Sequence, residues 1–372
     1  MNRNTIGRVP LTRPSLDQAE ADAAAAALAS GFVVQGPRVR EFEQLVADRA
    51  GTRHALAVSS ATTGLHLAIA ALGIGPGDEV LIPSFTFPAT GNVILHQGAR
   101  PVLVDVRTDD FAIDVADARR KITPRTKAIM PVDPFGLAYD ADGIGRLAAE
   151  HDLAVVEDAA CAIGATFEGR PAGGLGTVGV FSFHGRKILT TGEGGMLVTD
   201  DDELAERLAR LRSHGAERDG FRLRFVEPGF NYRLSDIAGA IGVAQMGKLD
   251  WIVEQRRSLA ANLTERLAGV SGLTPHAEPR GRVHTYQSYV VVLARDIDRD
   301  AVVDQLKDHG VESTIGTYAL HMEPVFQRLG YEDDDLPGAR GLFEQSLTLP
   351  LFPGMSEAEL DQVATAVEAV VR

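Results

Sequence analysis

The chain of 372 residues contains one cysteine, Cys161. A single thiol cannot form a disulfide within the chain, and it argues against a metal site built from several cysteines. Residues 1–20 lack the apolar core of a signal peptide, and no stretch reaches the ~18 consecutive apolar residues of a membrane span. These absences predict a cytoplasmic protein without a membrane partner.

Positive charge is also scarce. The 37 Lys and Arg residues face 51 Asp and Glu residues, so the formal net charge is −14. An acidic chain without a basic stripe is a poor candidate for nucleic acid, because phosphate backbones are bound by clustered Lys and Arg. Lysines are the rarest of these charges, and chemistry that needs a primary amine has only Lys121, Lys127, Lys187, Lys248 and Lys307 to draw on.

Short apolar runs alternate with helical patterns from residue 54 onward. The helical patterns include 62–73, 88–97 and 139–151, and the strand-like runs are 54–59, 79–85, 100–106, 128–133, 153–159, 179–183 and 195–200. Their continuous apolarity is typical of strands that are covered on both faces. We therefore predict an α/β domain with a mostly parallel seven-stranded sheet.

The pattern changes after residue 200. A charged helix over 201–215 precedes an irregular loop, 217–234, and one or two long helices follow over 235–270. Strand-like runs at 288–294 and 346–352, with helices near 299–309 and 356–371, then predict a smaller α+β domain. We divide the chain into a large domain of residues 1–250 and a small C-terminal domain of residues 251–372.

One glycine motif is misleading. Gly174, Gly176 and Gly179 match GxGxxG, but a dinucleotide fingerprint follows a strand and opens a helix. Here the glycines precede the strand-like run 179–183. We interpret them as a tight turn.

Lys187 lies between a strand and a Gly-rich turn, in FSFHGRKILTTGEGGM (181–196). Such turns let the backbone approach a ligand closely. His184 and Arg186 add positive charge beside the lysine, which favours the neutral amine that forms Schiff bases. The alternative is an ordinary surface lysine in a hairpin.

Asp158 ends an apolar strand in VVEDAACAIGA (155–165), 29 residues before Lys187. An acid at the carboxyl end of a parallel strand points into the crevice where α/β sheets bind ligands, although it can simply cap the next helix. A lysine and an acid at two strand ends could hold opposite ends of a pyridine ring. Pyridoxal phosphate is bound in this way, with Lys on its aldehyde and an acid on its ring nitrogen.

The stretch 58–92 offers two further candidates. Ser60, Ala61 and Thr62 lie between a strand and a helix, where backbone N–H groups and the helix dipole would hold an anion. The alternative is plain N-capping. Phe87, in the TFPATGN loop, could stack on a flat cofactor ring or could belong to the core.

These residues give the chain a family likeness. It resembles the sugar aminotransferases of the DegT/DnrJ/EryC1/StrS family, among the fold-type I pyridoxal-phosphate enzymes, over nearly its whole length. The SFHxxKxLTTGEGGM stretch carries most of the likeness. Further matching segments are GPRVREFE (36–43), GIGPGDEVLIPSFTFPATGN (73–92), RPVLVDV (100–106), GFNYRLSDIAGAIGVAQMGKLD (229–250) and LPLFPGMSEAELDQV (349–363).

The resemblance implies roles for several residues. Lys187 would form the Schiff base with pyridoxal 5'-phosphate and carry the proton shift, and Asp158 would keep the ring nitrogen protonated. Phe87 would stack on the ring. The phosphate would be held by Ala61, Thr62 and Ser182, and by Asn231 of a neighbouring subunit, so that the active unit would be a homodimer. His321 would line the sugar site.

The resemblance also implies a reaction, the transfer of an amino group from glutamate to a keto-deoxysugar linked to a nucleotide diphosphate. The alternatives are a keto-cyclitol acceptor, another pyridoxal-phosphate reaction, and a non-catalytic regulator with the same fold. The intact pair of Lys187 and Asp158 argues against the regulator. Dehydratase relatives carry His in place of the lysine.

Three positions depart from the family pattern. Ala61 stands where the family has Gly, and its N–H stays available for phosphate if its φ is negative. Cys161 replaces a Gln or His near the cofactor's O3' and would be either a ring-side contact or a buried, apolar-like filler. Asp133, before Pro134, replaces a His, and we expect both Cys161 and Asp133 near the sugar pocket.

Overall fold

The structure, a computed structural model, describes residues 7–371. The strands of these residues are β1 His54–Val58, β2 Glu79–Pro83, β3 Phe85–Thr86, β4 Arg100–Val104, β5 Thr126–Ile129, β6 Ala154–Asp158, β7 Thr166–Phe167, β8 Arg170–Pro171, β9 Val178–Ser182, β10 Gly195–Thr199, β11 Ala216–Asp219, β12 Arg222–Phe225, β13 Leu273–Pro275, β14 Arg282–Val283, β15 Tyr289–Leu293, β16 Thr314–Ile315, β17 Tyr318–Ala319 and β18 Ser346–Leu349.

The α-helices of the same residues are α1 Gln18–Ser30, α2 Pro37–Ala50, α3 Ala61–Ala71, α4 Ala89–His96, α5 Val115–Lys121, α6 Ala141–His151, α7 Asp202–Arg212, α8 Asp236–Met246, α9 Leu249–Leu267, α10 Arg299–Asp308, α11 Pro324–Gln327, α12 Pro337–Gln345 and α13 Glu357–Val370. Two short 3₁₀ turns add Pro134–Gly136 and Leu320–Met322. Within the described range, no helix combines the length and the apolarity needed to cross a bilayer.

Seven strands form one large sheet in the spatial order β1-β10-β9-β6-β5-β2-β4. They coincide with the seven apolar runs, so the predicted seven-stranded, mostly parallel sheet is confirmed. In this sheet β10 runs against its neighbours and pairs antiparallel with both β1 and β9. The other six strands therefore end at the same edge, which we call the carboxyl edge.

Helices cover both faces of this sheet. In β2, Val80 lies in one apolar core and Leu81 in another, because successive side chains of a strand point to opposite faces. The helix α3 contributes Leu65 to the first core, and α6 contributes Leu147 to the second. Burial on both sides is the reason that these strands are continuously apolar rather than alternating. The GxGxxG glycines precede or lie within β9, so the interpretation as a turn is confirmed.

A third core lies between α9, α10, α13 and a four-stranded antiparallel sheet, β13-β15-β18-β16. Val9 is fully buried in this core, and its N–H donates to the carbonyl oxygen of Gly310 at 2.8 Å. A segment near the start of the chain thus packs on the C-terminal sheet. The division into domains of residues 1–250 and 251–372 stays a prediction.

The prediction of an irregular loop over 217–234 is wrong for its first half. β11 and β12 form an antiparallel hairpin that turns at Gly220, whose φ is +61°. The turn residues are Gly220 and Phe221, and a glycine at the first turn position is a hairpin signal, because glycine adopts positive φ without steric cost. Phe221 and Phe225 are 88% and 67% exposed, so the hairpin lacks the apolar covering that usually accompanies a strand.

Two buried histidines lie where the C-terminal sheet meets the loops of the large sheet. His276 Nδ1 and His284 Nε2 are 3.3 Å apart. The ring of His276 stacks on Phe111, and that of His284 on Tyr286, each with centroids 4.1 Å apart. Phe111 and Tyr286 both have positive φ, at 61° and 50°, a conformation that costs bulky residues ~1 kcal/mol or more. The packing of this junction therefore holds the backbone in a strained form.

The junction predicts a loss of stability in acid. Burial lowers the pKa of His276 from 6.5 to about 4, and burial with the charge of His276 lowers the pKa of His284 well below 6.5. Because the folded-state pKa is depressed, the stabilisation by His276 is present above pH 6.5 and is lost as the pH falls towards 4. We expect His276→Gln to weaken the pH dependence of the unfolding free energy in this range by up to ~1.4 kcal/mol per pH unit. Urea unfolding of both proteins at pH 7, 6 and 5 measures it, and identical slopes would contradict the assignment.

Candidate active site

The turn after β9 carries Lys187 at the carboxyl edge. Its backbone N–H donates to the carbonyl oxygen of His184, and its Nζ lies 3.0 Å from the sulfur of Cys161. Two other lysines are held in ion pairs: Lys121 contacts Asp117, and Lys248 contacts Asp17 and Glu20. Lys187 is thus a half-buried amine directed towards the end of β6, which an ordinary surface lysine would not be.

Asp158 lies at the carboxyl end of β6, beside β9. Its Oδ2 accepts a hydrogen bond from the Thr90 hydroxyl at 2.8 Å, and its Oδ1 accepts one from the Ala160 N–H at 3.2 Å. Burial raises its pKa, while the hydrogen bond from Thr90, the one from Ala160 and the charge of Lys187 oppose the rise. A buried carboxyl group with no salt-bridge partner in the described chain fits a ligand that brings its own positive charge.

The N-terminus of α3 lies at the same edge. The Ser60 hydroxyl accepts from the Thr63 N–H, and this leaves the first two amides of the helix, those of Ala61 and Thr62, without intrahelical acceptors. Ala61 is not among the residues with positive φ, so its N–H is available as the resemblance required. Ser182 ends β9, two strands away from β1.

Gly195 explains how these groups meet. It opens β10 at the carboxyl edge and pairs with Val58 on one side and Ser182 on the other. A Cβ on this residue would lie 2.6 Å from the Ala61 nitrogen, closer than real Cβ atoms approach. Only glycine lets β10 start directly beneath the first turn of α3, and the turn and Ser182 thereby face a common space.

Phe87 and Asn231 are exposed in the described chain. Phe87 is 63% exposed and has its ring 6.3 Å from that of Tyr318, so it is not a core residue. One face of the ring is open, and its stacking on a cofactor stays a prediction. Asn231 follows Phe230, whose N–H donates to the carbonyl oxygen of Leu211. The Asn231 side chain makes no hydrogen bond within residues 7–371, as expected of a group that serves another subunit.

His321 is not open to a pocket in the described chain. It is fully buried, with Nδ1 2.8 Å from the Ser84 hydroxyl and Nε2 3.1 Å from the Asp333 carbonyl oxygen. Both ring nitrogens are therefore occupied, and a role in the sugar site stays a prediction. Cys161 is half-buried and touches the Lys187 amine, so it is not an apolar filler. Its contact with the cofactor also stays a prediction.

These residues fit pyridoxal phosphate. Lys187 and Asp158 could supply the amine and the acid, and the amides of Ala61 and Thr62 with Ser182 could hold the phosphate. The sequence did not reveal Thr90, which orients Asp158 from the start of α4. Its position in the TFPATGN loop, directly after a buried strand, was the only available signal.

Comparisons with known proteins agree with this geometry. The profile of the DegT/DnrJ/EryC1/StrS aminotransferase family matches residues 14–368. The chain is 40% identical to a GDP-perosamine synthase of Caulobacter vibrioides, over 98% of this chain and 99% of that protein. It is 36% identical to a UDP-4-amino-4-deoxy-L-arabinose–oxoglutarate aminotransferase of Shewanella sediminis, over 98% of both chains. The crystal structure of the aminotransferase TlmJ from Streptoalloteichus hindustanus superposes with a TM-score of 0.93 at 36% identity, over 98% of both chains.

On the other side of the sheet from Asp158, two further acids are buried together, Glu157 and Asp133. Glu157 accepts the N–H groups of Gly173 and Leu175 at 2.6 and 2.9 Å. Asp133 accepts the Tyr139 N–H at 2.9 Å, but its Oδ2 has no partner within residues 7–371. Asp133 has no exposed surface and lines no pocket itself, so its position near the sugar pocket stays a prediction. Its carboxyl group faces Glu157. Glu157 points to the face of the sheet opposite to Asp158, because successive side chains of a strand alternate.

The surroundings of this acidic pair favour the protonated form of both carboxyl groups. Burial and the charge of Glu157 raise the pKa of Asp133 well above 3.8. Burial also raises the pKa of Glu157 to about 7, against the two backbone hydrogen bonds. A carboxyl group with a raised folded-state pKa stabilises the fold at low pH and loses that contribution as the pH rises. For Glu157 the contribution is complete below pH 4.5 and is lost through about pH 7.

Asp133→Asn should therefore stabilise the protein in alkali. The amide can still accept from Tyr139 and can donate to Glu157, while the like charge is removed. We expect a gain of about 1–2 kcal/mol in the free energy of unfolding at pH 8 and little change at pH 5. Urea unfolding at the two pH values measures the gain, with the exposed Asp308→Asn as a control. If the difference in unfolding free energy between Asp133→Asn and the wild type is the same at pH 8 and pH 5, the raised pKa of this pair is refuted.

Proposed function

Because the chain belongs to the DegT/DnrJ/EryC1/StrS family of pyridoxal-phosphate-dependent aminotransferases, we propose that it transfers an amino group from glutamate to a keto-deoxysugar linked to a nucleoside diphosphate. The observation that carries the proposal is the placement of the Lys187 amine and the buried Asp158 carboxyl group at the ends of two neighbouring parallel strands. A regulator that keeps only the fold needs neither group.

Each residue has a defined part in this chemistry. The bound cofactor supplies an electron sink and the carbonyl that carries nitrogen between the two substrates. Asp158, oriented by Thr90, keeps a proton on the ring nitrogen. Lys187 would take the proton from the amino-bearing carbon and return it, across the nitrogen, to the carbon that the cofactor's aldehyde supplies. The first turn of α3 and Ser182 hold the phosphate.

The relatives support the choice of substrates. One is named a GDP-perosamine synthase, and another is named for a UDP-linked 4-amino sugar and for oxoglutarate. Oxoglutarate is the keto acid that glutamate leaves behind when it donates nitrogen, which supports glutamate as the donor. A keto-cyclitol acceptor and another pyridoxal-phosphate reaction are the competing proposals, and both lack such support among these relatives.

A homodimer in the cytoplasm completes the proposal. Two exposed apolar segments flank the loop that carries Asn231: residues 32–34, beside Asp236, and the hairpin β11–β12, beside Gly215. Phe32 and Phe221 are 60% and 88% exposed, and apolar surface of this kind is usually covered by another protein surface. A second copy placed there would bring Asn231 to the neighbouring phosphate site.

The attachment of the cofactor tests the role of Lys187. Borohydride should fix pyridoxal phosphate to one tryptic peptide that contains Lys187. Lys187→Ala should lower turnover by roughly 10²–10⁴-fold or more, because the proton carrier is removed. Mass spectrometry of the peptide and steady-state kinetics measure the two effects, and Lys127→Ala serves as a control. Attachment to any other lysine would overturn the assignment.

Mixed dimers test the role of Asn231. Asn231→Asp should be inactive because a second negative charge would face the phosphate. Mixed with Lys187→Ala, it should recover roughly a quarter of the wild-type activity, since half of the dimers are hybrids and each has one intact site. A mixture of Lys187→Ala with Asp158→Asn is the control and should recover nothing, because both residues belong to the same half-site. No recovery despite subunit exchange, followed by native mass spectrometry, would show that each site is built from one chain.

A further inference from the structure

A pocket of about 410 Å³ lies on the other side of the turn that carries Lys187. It is enclosed by the segment near the start of the chain, α10, the residues before and within β16, and the turn after β9. The side chains that give it its character are Arg8, Arg186, Lys307, Glu312, Ser313 and Thr314. Apart from Arg186, whose charge lies beside Lys187, none of these residues has a part in the reaction proposed above.

The pocket carries uncompensated positive charge. The Glu312 carboxylate contacts Arg8 Nε at 3.0 Å and also accepts the Leu11 N–H at 3.0 Å, so these two charges neutralise each other. Arg186 and Lys307 form no ion pair within residues 7–371, and both side chains are exposed to the pocket. Two cations without partners leave a net charge of +2, which attracts an anion of two or more negative charges.

The wall of the pocket also contains an unused hydrogen-bonding group. The Ser313 hydroxyl is buried and has no partner among the described residues. Leaving such a group without a partner costs ~1 kcal/mol or more, and native structures seldom keep one without a reason. A ligand with acceptor oxygens would satisfy it, and the exposed Thr314 hydroxyl lies next to it in the chain.

A larger pocket elsewhere shows why charge alone is not the criterion. About 730 Å³ in volume, it is lined by several basic residues, among them Lys121 and Arg125. Lys121 pairs with Asp117, however, and Arg125 pairs with Glu79. Glu79 opens β2, so this pocket lies at the edge of the sheet opposite to Asp158. Its Arg100 forms no ion pair within residues 7–371, but the pocket has no connection to the site.

The smaller pocket adjoins the candidate active site. Arg186 precedes Lys187, so their Cα atoms are ~3.8 Å apart, and the two side chains diverge into the pocket and towards Cys161. The Gln287 amide donates to the Arg186 carbonyl oxygen at 3.1 Å and holds this part of the turn. From Thr314 the chain reaches Tyr318, the neighbour of Phe87, within at most ~13 Å. The pocket therefore begins directly beside the residue that carries the candidate Schiff-base amine.

We propose that this pocket binds the diphosphate of the nucleotide-linked acceptor. The inference rests on the proposed function, and it assigns a place to the one part of that substrate that carries two negative charges. Arg186 and Lys307 would contact the phosphate oxygens, and the Ser313 hydroxyl would donate to one of them. The sugar would then extend across the turn towards Lys187.

Binding of pyrophosphate, GDP and UDP to the cofactor-loaded protein tests the proposal without catalysis. Isothermal titration should give binding that weakens as salt is raised. Arg186→Gln and Lys307→Gln should each raise Kd about tenfold, as the loss of a charge-assisted hydrogen bond predicts. Lys127→Gln is the matched control, because it removes an exposed lysine charge far from the pocket and should leave Kd unchanged. Equal Kd values in all four proteins, or no binding to the wild type, would overturn the proposal.

The donor half of the reaction separates the remaining outcomes. Glutamate alone should convert the protein-bound cofactor to its amino form, which absorbance follows in a single turnover. A slower conversion in Lys307→Gln than in Lys127→Gln would assign the pocket to the carboxylates of the donor and would refute a diphosphate site. If glutamate does not convert the cofactor of the wild-type protein to its amino form, the proposed function is contradicted. The Kd values for pyrophosphate, GDP and UDP would still show whether the pocket binds a diphosphate.

Discussion

The common direction of β6 and β9 is the constraint on which the site depends. Neighbouring parallel strands end at one edge, about 4.8 Å apart, so Asp158, which pairs with Val180, and Ser182, two residues farther along β9, emerge at the same edge. The turn after β9 then returns Lys187 to within 3.0 Å of Cys161, which follows β6. Were one of the two strands reversed, the lysine and the acid would be separated by the length of a five-residue strand, roughly 17 Å.

The reversed strand β10 contributes in a different way. Because it runs against its neighbours, it begins where they end, and Gly195 lies at the carboxyl edge between Val58 and Ser182. The absence of a side chain brings the first turn of α3 down onto the sheet. One antiparallel strand thus places the first turn of α3 close to Ser182 at the carboxyl edge.

Two adjacent residues of β6 show how the fold accommodates buried acids. Asp158 faces the site, where the Thr90 hydroxyl, the Ala160 N–H and the charge of Lys187 favour its ionised form. Glu157 faces the opposite core, where two backbone N–H groups and the neighbouring Asp133 surround it. The same alternation that divides apolar residues between two cores therefore divides the acids between two functions. Asp158 has partners that a cationic ligand can complete, and Glu157 lies against a second acid that favours its protonated form.

The sequence by itself determined the seven strands, the parallel sheet and the residues Lys187 and Asp158, because runs buried on both faces and a Gly-rich turn leave strong local signals. It did not determine the hairpin at Gly220, since exposed strands lack an apolar pattern. The unpaired cations Arg186 and Lys307, the burial of His321, and the contact of Asp133 with Glu157 were decided only by the tertiary structure. Each depends on side chains that are distant in sequence and meet in space, and no local pattern of residues encodes which charges will find partners there.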